Sequence, residues 1–510
     1  MMSVDIDREK HHINRVRVEA LGDFLTAQTY RPEIVEAINK VTSLQHTPLQ
    51  ALCSSPIRQG PTPVFSTEGR PCLKSKHAND LIVSDPESSD FVDEVFAKEH
   101  EKQKVKFGDV VLTRKGVGTI GRASIFYGKE PLNTDDLLFK ISLTLADNAF
   151  VTSFLRTYWG ERILEKGVYG STGQISLSSA YVRGVPIYTP FERAQKYIGD
   201  KVRQAERLRC SAKEQKAEVN IYIDTLGLPY NRQPEMINKV GARDLSDRLD
   251  PRPYRTHCLE LVEAIKKVNN SFLSDCVAMH SGCPVSSSDF TEDYSVPLVR
   301  IRNIGFDEFL ELDIGVSNDV YQSNLNCGAK AGCIVLGMDG DFRAQFFLEE
   351  ELPMLINQRV AIFNHKDIRP ELLTHWLNRP EGQIQLYQWA VKTTVDHTSL
   401  SDLRKVHIPR FDHDKEEEMA DMLKFARFAR YYSRKLTMSA ILITEALIEG
   451  KLTERQLIDA EKTLEFGDND LDRGILSRLT TKGLDGDSEP LFADLDQLYD
   501  LLAQSQQTDE

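Results

Sequence analysis

The sequence has little of what usually marks a catalytic or metal site. Its eight cysteines include no Cys-x-x-Cys pair. The closest, Cys276 with Cys283 and Cys327 with Cys333, lack zinc-ligand spacing, so free thiols in a reducing compartment are expected. Twelve histidines form no His-x-x-x-His pair, and no metal or other cofactor is expected. There is no Gly-x-x-x-x-Gly-Lys-Ser/Thr loop, no glycine-rich cofactor fingerprint, no nucleophile elbow, and no Asn-Pro-Pro-Tyr or Asp-Pro-Pro-Tyr motif. Asp85-Pro86-Glu87 is a weak nuclease-type acid cluster and nothing more. No apolar run reaches the roughly 18 residues that span a membrane. The start, Met-Met-Ser-Val-Asp-Ile-Asp, does not resemble a signal peptide. A non-catalytic, cytoplasmic chain without a membrane partner is the expectation.

Net charge is also short of positive sign, at -14 over 510 residues. That opposes simple electrostatic binding of nucleic acid. The charge is uneven, however. Eight of the acids lie after Gly483 with no Lys or Arg among them, whereas several internal loops are basic. At this length two to four domains are expected rather than one core.

What the sequence does have is a duplication. The stretch Val105–Arg122 contains a β-branched run, Val110–Leu112, that follows a Gly-Asp turn and opens into a basic, glycine-rich loop. A second copy runs from Lys330 to Arg343, and Gly108 and Gly332 are 224 apart. At that offset Tyr30-Arg31 matches Tyr254-Arg255, Asn133 matches Asn357, and Phe139 matches Phe363. The offset becomes 226 at Leu73–Lys76 against Val299–Arg302, and 223 at Pro186 against Pro409. Small slips at loops are what insertions in a duplicated domain produce. A period this long is a domain repeat, not a solenoid.

The spacing predicts 1–47 as a lead-in segment and 48–190 as a first β-rich domain with one helix over 149–165. A long amphipathic helix follows over 191–226, then a linker over 227–271, a second β-rich domain over 272–411, and a second long helix over 412–450. An acidic extension over 451–510 closes the chain. In the first long helix Ile198, Val202, Ala205, Leu208 and Ala212 mark one stripe, and in the second Met419, Ala426, Leu436 and Ile443 do so. At 1.5 Å per residue each is roughly 50 Å long. The economical partner for one long stripe is the other. The expected fold class is therefore α+β: two homologous β-rich domains joined by two long antiparallel, coiled-coil-like helices, with pseudo-two-fold symmetry. In the extension a short helix should begin at Thr453, with Gln456 completing a capping box. The remainder reads as solvated and mobile, with Leu495, Leu498 and Leu501 as a partner hook in reserve.

Two similar modules on long helices suit a bipartite ligand such as duplex DNA, whose turn advances about 34–36 Å. Phosphate contacts would come from Lys74, Lys76, Arg300 and Arg302, each pair sharing one strand face, and from Arg114, Lys115, Arg122 and Arg343 around the glycine loops. Base-edge contacts would come from Ser171, Thr172 and Gln174 in the first copy and from Lys392, Thr393, Thr394 and His397 in the second. Plain hairpin turns and solvated faces are the competing reading of the same residues. Asp339 and Asp341 replace basic residues in the second loop, so the two modules are expected to touch different sequences.

These motifs also resemble a known family, the specificity (S) subunits of type I restriction–modification systems. The resemblance rests on Lys106–Gly116 with Gly121-Arg122, on Leu355–Val360 with its first-half echo Leu132–Leu137, and on Gly170–Leu177 through Pro186. It continues in Thr398–Ser401 through Pro409 and in Arg248–Tyr254, and it spans about residues 15–450. The resemblance implies two target recognition domains on a central helical pair. They would read an interrupted site on double-stranded DNA, dock two methyltransferase (M) subunits, and be joined by restriction (R) subunits that carry the cleavage. The alternatives are a protein-interaction scaffold, a DNA-binding subunit of another phage-defence complex, or an enzyme whose site is not visible in the sequence.

Overall fold

The structure, a computed structural model, describes residues 21, 25–86, 90–116, 118–170, 175–230, 237–242, 245–246, 248–292, 294–306 and 308–507. The protein is α+β. It divides into two compact units: one of residues up to Arg207 with Tyr432–Gln507, the other Leu208–Tyr431. The two long helices, Glu192–Asp224 and His413–Glu449, match the expected stripes, and the unit boundary falls inside each.

In the first unit the run Val110–Thr113 is the centre of a four-stranded antiparallel sheet. Leu138–Ile141 pairs on one side and Ala123–Ile125 on the other, with Arg58–Gln59 at the edge beyond Leu138–Ile141. Val110, Val111 and Leu112 are fully buried, so the run is apolar without alternation because both faces are covered. A second sheet holds Phe65–Ser66, Phe91–Val92, Arg70–Leu73 and Asn133–Thr134, the last pair parallel. The single helix expected over 149–165 is two helices, Asn148–Leu155 and Tyr158–Glu165. Thr157 breaks them: its hydroxyl accepts from the Gly160 amide at 3.0 Å and caps the second helix. Gly160 is needed there, since a Cβ would lie 2.1 Å from the Phe154 carbonyl oxygen.

The second unit repeats this plan. Ile334–Gly337 sits between Val360–His365 and Ala344–Phe346, with Val277–Ser281 outermost. Val296–Val299 pairs in parallel with Leu355–Ile356, as Arg70–Leu73 does with Asn133–Thr134. The helix pair recurs as Pro370–Asn378 and Pro380–Gln388. Each unit also closes its lead-in helix, Pro32–Thr42 or Thr256–Lys266, with a short antiparallel pair: His46–Pro48 with Pro186–Tyr188, and Asn270–Phe272 with His407–Pro409.

Pairing registers correct two of the repeat matches. Leu112 pairs with Phe139, while Leu336, its counterpart, pairs with Ala361. Phe139 therefore stands where Ala361 does, not Phe363. Likewise the Asp135 amide donates to the Leu73 carbonyl and the Asn357 amide to the Val299 carbonyl, each at 3.0 Å. The counterpart of Asn357 is Asp135, not Asn133. The intervening connection is shorter in the second copy, which moves the offset from 224 to 222.

Within the second unit the long helices run antiparallel. The Lys415 ammonium lies 3.3 Å from the Tyr222 ring centroid, whereas Lys216, earlier on the first helix, feels Arg427 and Arg430, later on the second. Within the first unit the same helices meet where the Ser433 hydroxyl donates to the Ala205 carbonyl at 2.8 Å.

Two expectations are overturned. Cys283 and Cys327 form a disulfide, with Cα atoms 5.8 Å apart, so not all thiols are free. The acidic extension is folded rather than mobile. Its helices Glu454–Glu465, Asp470–Leu476 and Leu495–Gln507 belong to the first unit, and Leu498 and Leu501 are buried there. Thr453 and Gln456 form the expected capping box. Among the described residues no helix is long and apolar enough to cross a membrane.

Candidate nucleic-acid interface

Three segments converge in each unit, and they carry most of the residues singled out from the sequence. The first is a turn after the parallel strand. Lys74 and Arg300 do not lie on a strand face, as expected, but cap short 3-10 turns, Ser75–His77 and Ile301–Asn303. The turns are locked alike: the Lys74 amide donates to His77 Nδ1 at 2.9 Å, and the Arg300 amide to Asn303 Oδ1 at 3.0 Å. Both basic side chains of each turn then converge on one carboxylate. Lys74 and Lys76 reach Asp90 at 2.8 and 2.6 Å. Arg300 reaches Asp313 at 2.5 Å, and Arg302 pairs with the same carboxylate. Burial acts to raise the Asp90 carboxyl, but hydrogen bonds and charge from the two lysines outweigh it and hold it at about 2. Asp313 is lowered against the same opposition from burial. Each cluster carries two cations and one ionised acid, a surplus of one positive charge.

The second segment is the connection leaving the central strand. In the first unit Arg122 donates to Asn79 Oδ1 at 2.9 Å, and Asn79 donates to the Lys76 carbonyl at 2.8 Å, tying this connection to the 3-10 turn. Arg114 donates to the Asp136 carbonyl at 3.3 Å, and Lys115 lies 3.6 Å from the Asp136 carboxylate. In the second unit Arg343 donates to Asp341 at 2.8 Å and covers the Phe306 ring at 5.1 Å. The Thr113 amide donates to the Arg122 carbonyl, and the Gly337 amide to the Arg343 carbonyl, so the two arginines are true counterparts.

The third segment is a hairpin near the end of each β-rich region. Lys115 bridges Ser176, and Asp339 bridges His397. The Leu177 amide donates to the Arg114 carbonyl, and the Thr398 amide to the Met338 carbonyl, both at 2.9 Å. Lys115 and Asp339 are thus equivalent positions of opposite charge. In the second hairpin Lys392, Thr393 and Thr394 are exposed at the tip, beside exposed Val391 and Val395. His397 donates from Nδ1 to Asp339 at 2.6 Å, while its Nε2 meets the Thr393 hydroxyl at 2.9 Å. Hydrogen bonds from Arg359 and His397 hold the Asp339 carboxyl down although burial pushes it up. Ser171, Thr172 and Gln174 lie outside the described residues, as does Glu87 of the weak acid cluster.

The sequence reading missed the acids: Asp90, Asp313 and Asp136 each hold predicted cations, and Arg359 and Asn79 brace the loops. A signal for one pair was present. Asp90 and Asp313 repeat at nearly the spacing of the basic pairs they hold, although they sit beyond strands of different length. Among the described residues no group of three or more His, Cys, Asp or Glu is placed to hold a metal ion.

Neither a family profile nor a curated protein sequence matches the chain. Among solved structures it is similar to a type I restriction–modification S subunit from M. genitalium, at 12% identity and TM-score 0.40, covering 80% of this chain and 96% of that one. It is also similar to a chain from a structure on complex assembly and conformational transition of the type I R-M system, at 13% identity and TM-score 0.28, covering 82% and 97%. A third is the HsdS subunit from Thermoanaerobacter tengcongensis, at 13% identity and TM-score 0.26, covering 84% and 96%.

Proposed function

We propose that this chain is the DNA-recognition subunit of a type I restriction–modification complex. It does no chemistry itself. The regions 48–190 and 272–411 act as target recognition domains, each reading one half of an interrupted duplex site. The spacer helices, 191–226 and 412–450, set the gap and give two methyltransferase subunits a platform, and restriction subunits join for cleavage.

One observation supports this reading above the rest: the same three-segment cluster is built twice, once in each unit, with basic turns and a polar hairpin on one scaffold. Phosphate contacts would fall to Lys74, Lys76, Arg114, Lys115, Arg122, Arg300, Arg302 and Arg343. Base contacts would fall to the hairpin tips. The exchange of Lys115 for Asp339 would remove one phosphate contact from the second unit, so the two modules would hold their half-sites differently there. A scaffold reading is favoured by the acids that accompany every basic pair.

The test is selection from a random duplex pool at low salt, by the chain alone and with the proteins encoded beside it, followed by sequencing. Two short enriched blocks around a fixed gap are expected. Deleting four residues within Ala205–Ala212 should change that gap. An unchanged gap sinks the spacer role, and no enrichment with any partner puts the scaffold first.

A further inference from the structure

The lead-in helix of each unit follows an arginine, and the two arginines keep opposite company. Arg31 caps Pro32–Thr42 and Arg255 caps Thr256–Lys266, with similar backbone angles. Their carbonyls accept equivalent amides, from Val35 and Leu259, both at 3.1 Å. In the first unit the arginine is neutralised. Arg31 pairs with Glu33 at 3.3 Å and with Glu165, on the helix packed beside it, at 2.5 Å.

The second unit has lost both acids. At the offset of 224, Glu33 becomes His257. The helix Pro380–Gln388 matches Tyr158–Glu165 at an offset of 222, fixed by a shared glycine. A Cβ on Gly160 would lie 2.1 Å from the Phe154 carbonyl oxygen, and one on Gly382 would lie 2.2 Å from that of Trp376. Glu165 therefore becomes Tyr387, and Glu161, one turn earlier, becomes Gln383. Arg255 is exposed, and among the described residues it forms no ion pair.

Arg255, His257, Gln383 and Tyr387 line one open groove of about 530 Å³. Its two other arginines are compensated, Arg343 by Asp341 at 2.8 Å and Arg252 by Asp396. The charge left over is that of Arg255. Burial, then Arg255, push the His257 imidazolium down against the pull of Glu260, so His257 adds no charge at pH 7. The groove runs into the proposed DNA surface. Arg343 belongs to both, and Tyr387 donates to the Gly340 carbonyl at 3.3 Å. An accessible guanidinium without an acid suits a phosphate, which it can grip with two parallel N–H bonds.

We propose that Arg255 is a further DNA contact, holding one backbone phosphate of the duplex in this groove. The first unit has no equivalent, because Glu33 and Glu165 occupy Arg31. The inference rests on the DNA-recognition reading and adds to it a contact that only the second unit makes.

The experiment is duplex binding across a salt series, by the full chain with the proteins encoded beside it. The probe is a duplex carrying the blocks enriched from the random pool. Arg255→Gln should weaken binding severalfold and reduce the salt slope by about 1. Arg255→Lys keeps the charge and should keep the slope. Arg31→Gln, the matching change in the first unit, should leave the slope unaltered. Arg255→Gln breaks no ion pair, so its melting temperature should equal the parent's, which separates lost contact from lost fold. Parent-like affinity and slope in Arg255→Gln overturn this contact and leave the DNA reading standing. An equal fall in slope for Arg31→Gln overturns the asymmetry. A parent that enriches and binds no duplex removes the DNA reading and this contact with it.

Discussion

The Lys201 ammonium and the Asp472 carboxylate meet at 2.7 Å with each side chain only 1% exposed. The lysine comes from the first long helix and the acid from the C-terminal extension, and Tyr197 and Tyr499 donate hydroxyls to the same carboxylate. A buried pair costs heavily when only one partner is removed, because the survivor is left charged and dry, by about 3–5 kcal/mol. Lys201→Met and Asp472→Asn should each destabilise the first unit by that order. Urea titration followed by circular dichroism measures it. Limited proteolysis should also release the extension from either variant and not from the parent. A change below 1 kcal/mol would mean the extension is not packed as described.

Asp135 makes a different case, since burial pushes its carboxyl up to about 6. The raised value means the folded protein holds a proton that the unfolded chain has already lost. The stability it contributes is full below about pH 4, falls as pH rises through 6, and is then gone. Asp135→Asn keeps the acceptor for the Leu137 amide, 3.1 Å away, and removes the ionisation. The second unit already carries Asn357 at the equivalent position. The variant should be more stable than the parent by about 2–3 kcal/mol at pH 7.5 and equal to it at pH 4, at 1.36 kcal/mol per unit. Thermal melts at both pH values decide it, and a gain independent of pH would remove the carboxyl as the cause.

Much of this fold was legible because its signals are long. The two helical stripes run for nine turns or more, and the repeated Gly-Asp turn with its β-branched run recurs at one spacing. What escaped was set by tertiary contact. Thr157 splits a helix because its hydroxyl finds a free amide, which periodicity does not show. The register that pairs Phe139 with the position of Ala361 follows from a shorter connection, and gapless matching favoured the two phenylalanines instead. At the candidate interface the cations were legible and their restraints were not. Asp90 lies 14 residues beyond Lys76 and Asp313 lies 11 beyond Arg302, so only their near-repeat between the two copies, and no local spacing, pointed to the pairing. The acidic extension was misread because average composition hides single residues. Asp472 and Glu461 are two acids among many, and among the described residues of the extension they are the buried ones.

The Cys283–Cys327 link encloses 44 residues of the second unit. Closing a loop of that size removes unfolded-state freedom worth about 4 kcal/mol in the chain-entropy description. Cys283→Ser with Cys327→Ser should lower the unfolding midpoint of the second unit by a comparable amount and leave the first unit unchanged. Treatment of the parent with dithiothreitol should do the same. Alkylation and mass measurement before and after reduction provide the count: two additional modified thiols are expected, and none would show that the link is not formed.

The restraining acids give the sharpest test of the interface. If Lys74, Lys76, Arg300 and Arg302 meet phosphates, then Asp90 and Asp313 compete with DNA for them, and removing the acids should help. Asp313→Asn should tighten duplex binding severalfold at 50 mM salt and steepen the fall of affinity with salt, because more cation charge is free to displace counterions. Arg300→Ala with Arg302→Ala should act oppositely and reduce the salt slope by roughly 2, weakening all sequences alike. Asp90→Asn should behave as Asp313→Asn does, with the structure of its turn preserved because His77 still accepts the Lys74 amide. Fluorescence anisotropy across a salt series reads all three. Weaker binding by the acid variants with an unchanged slope would make the turns structural, and the phosphate contacts would then have to lie in the hairpins alone.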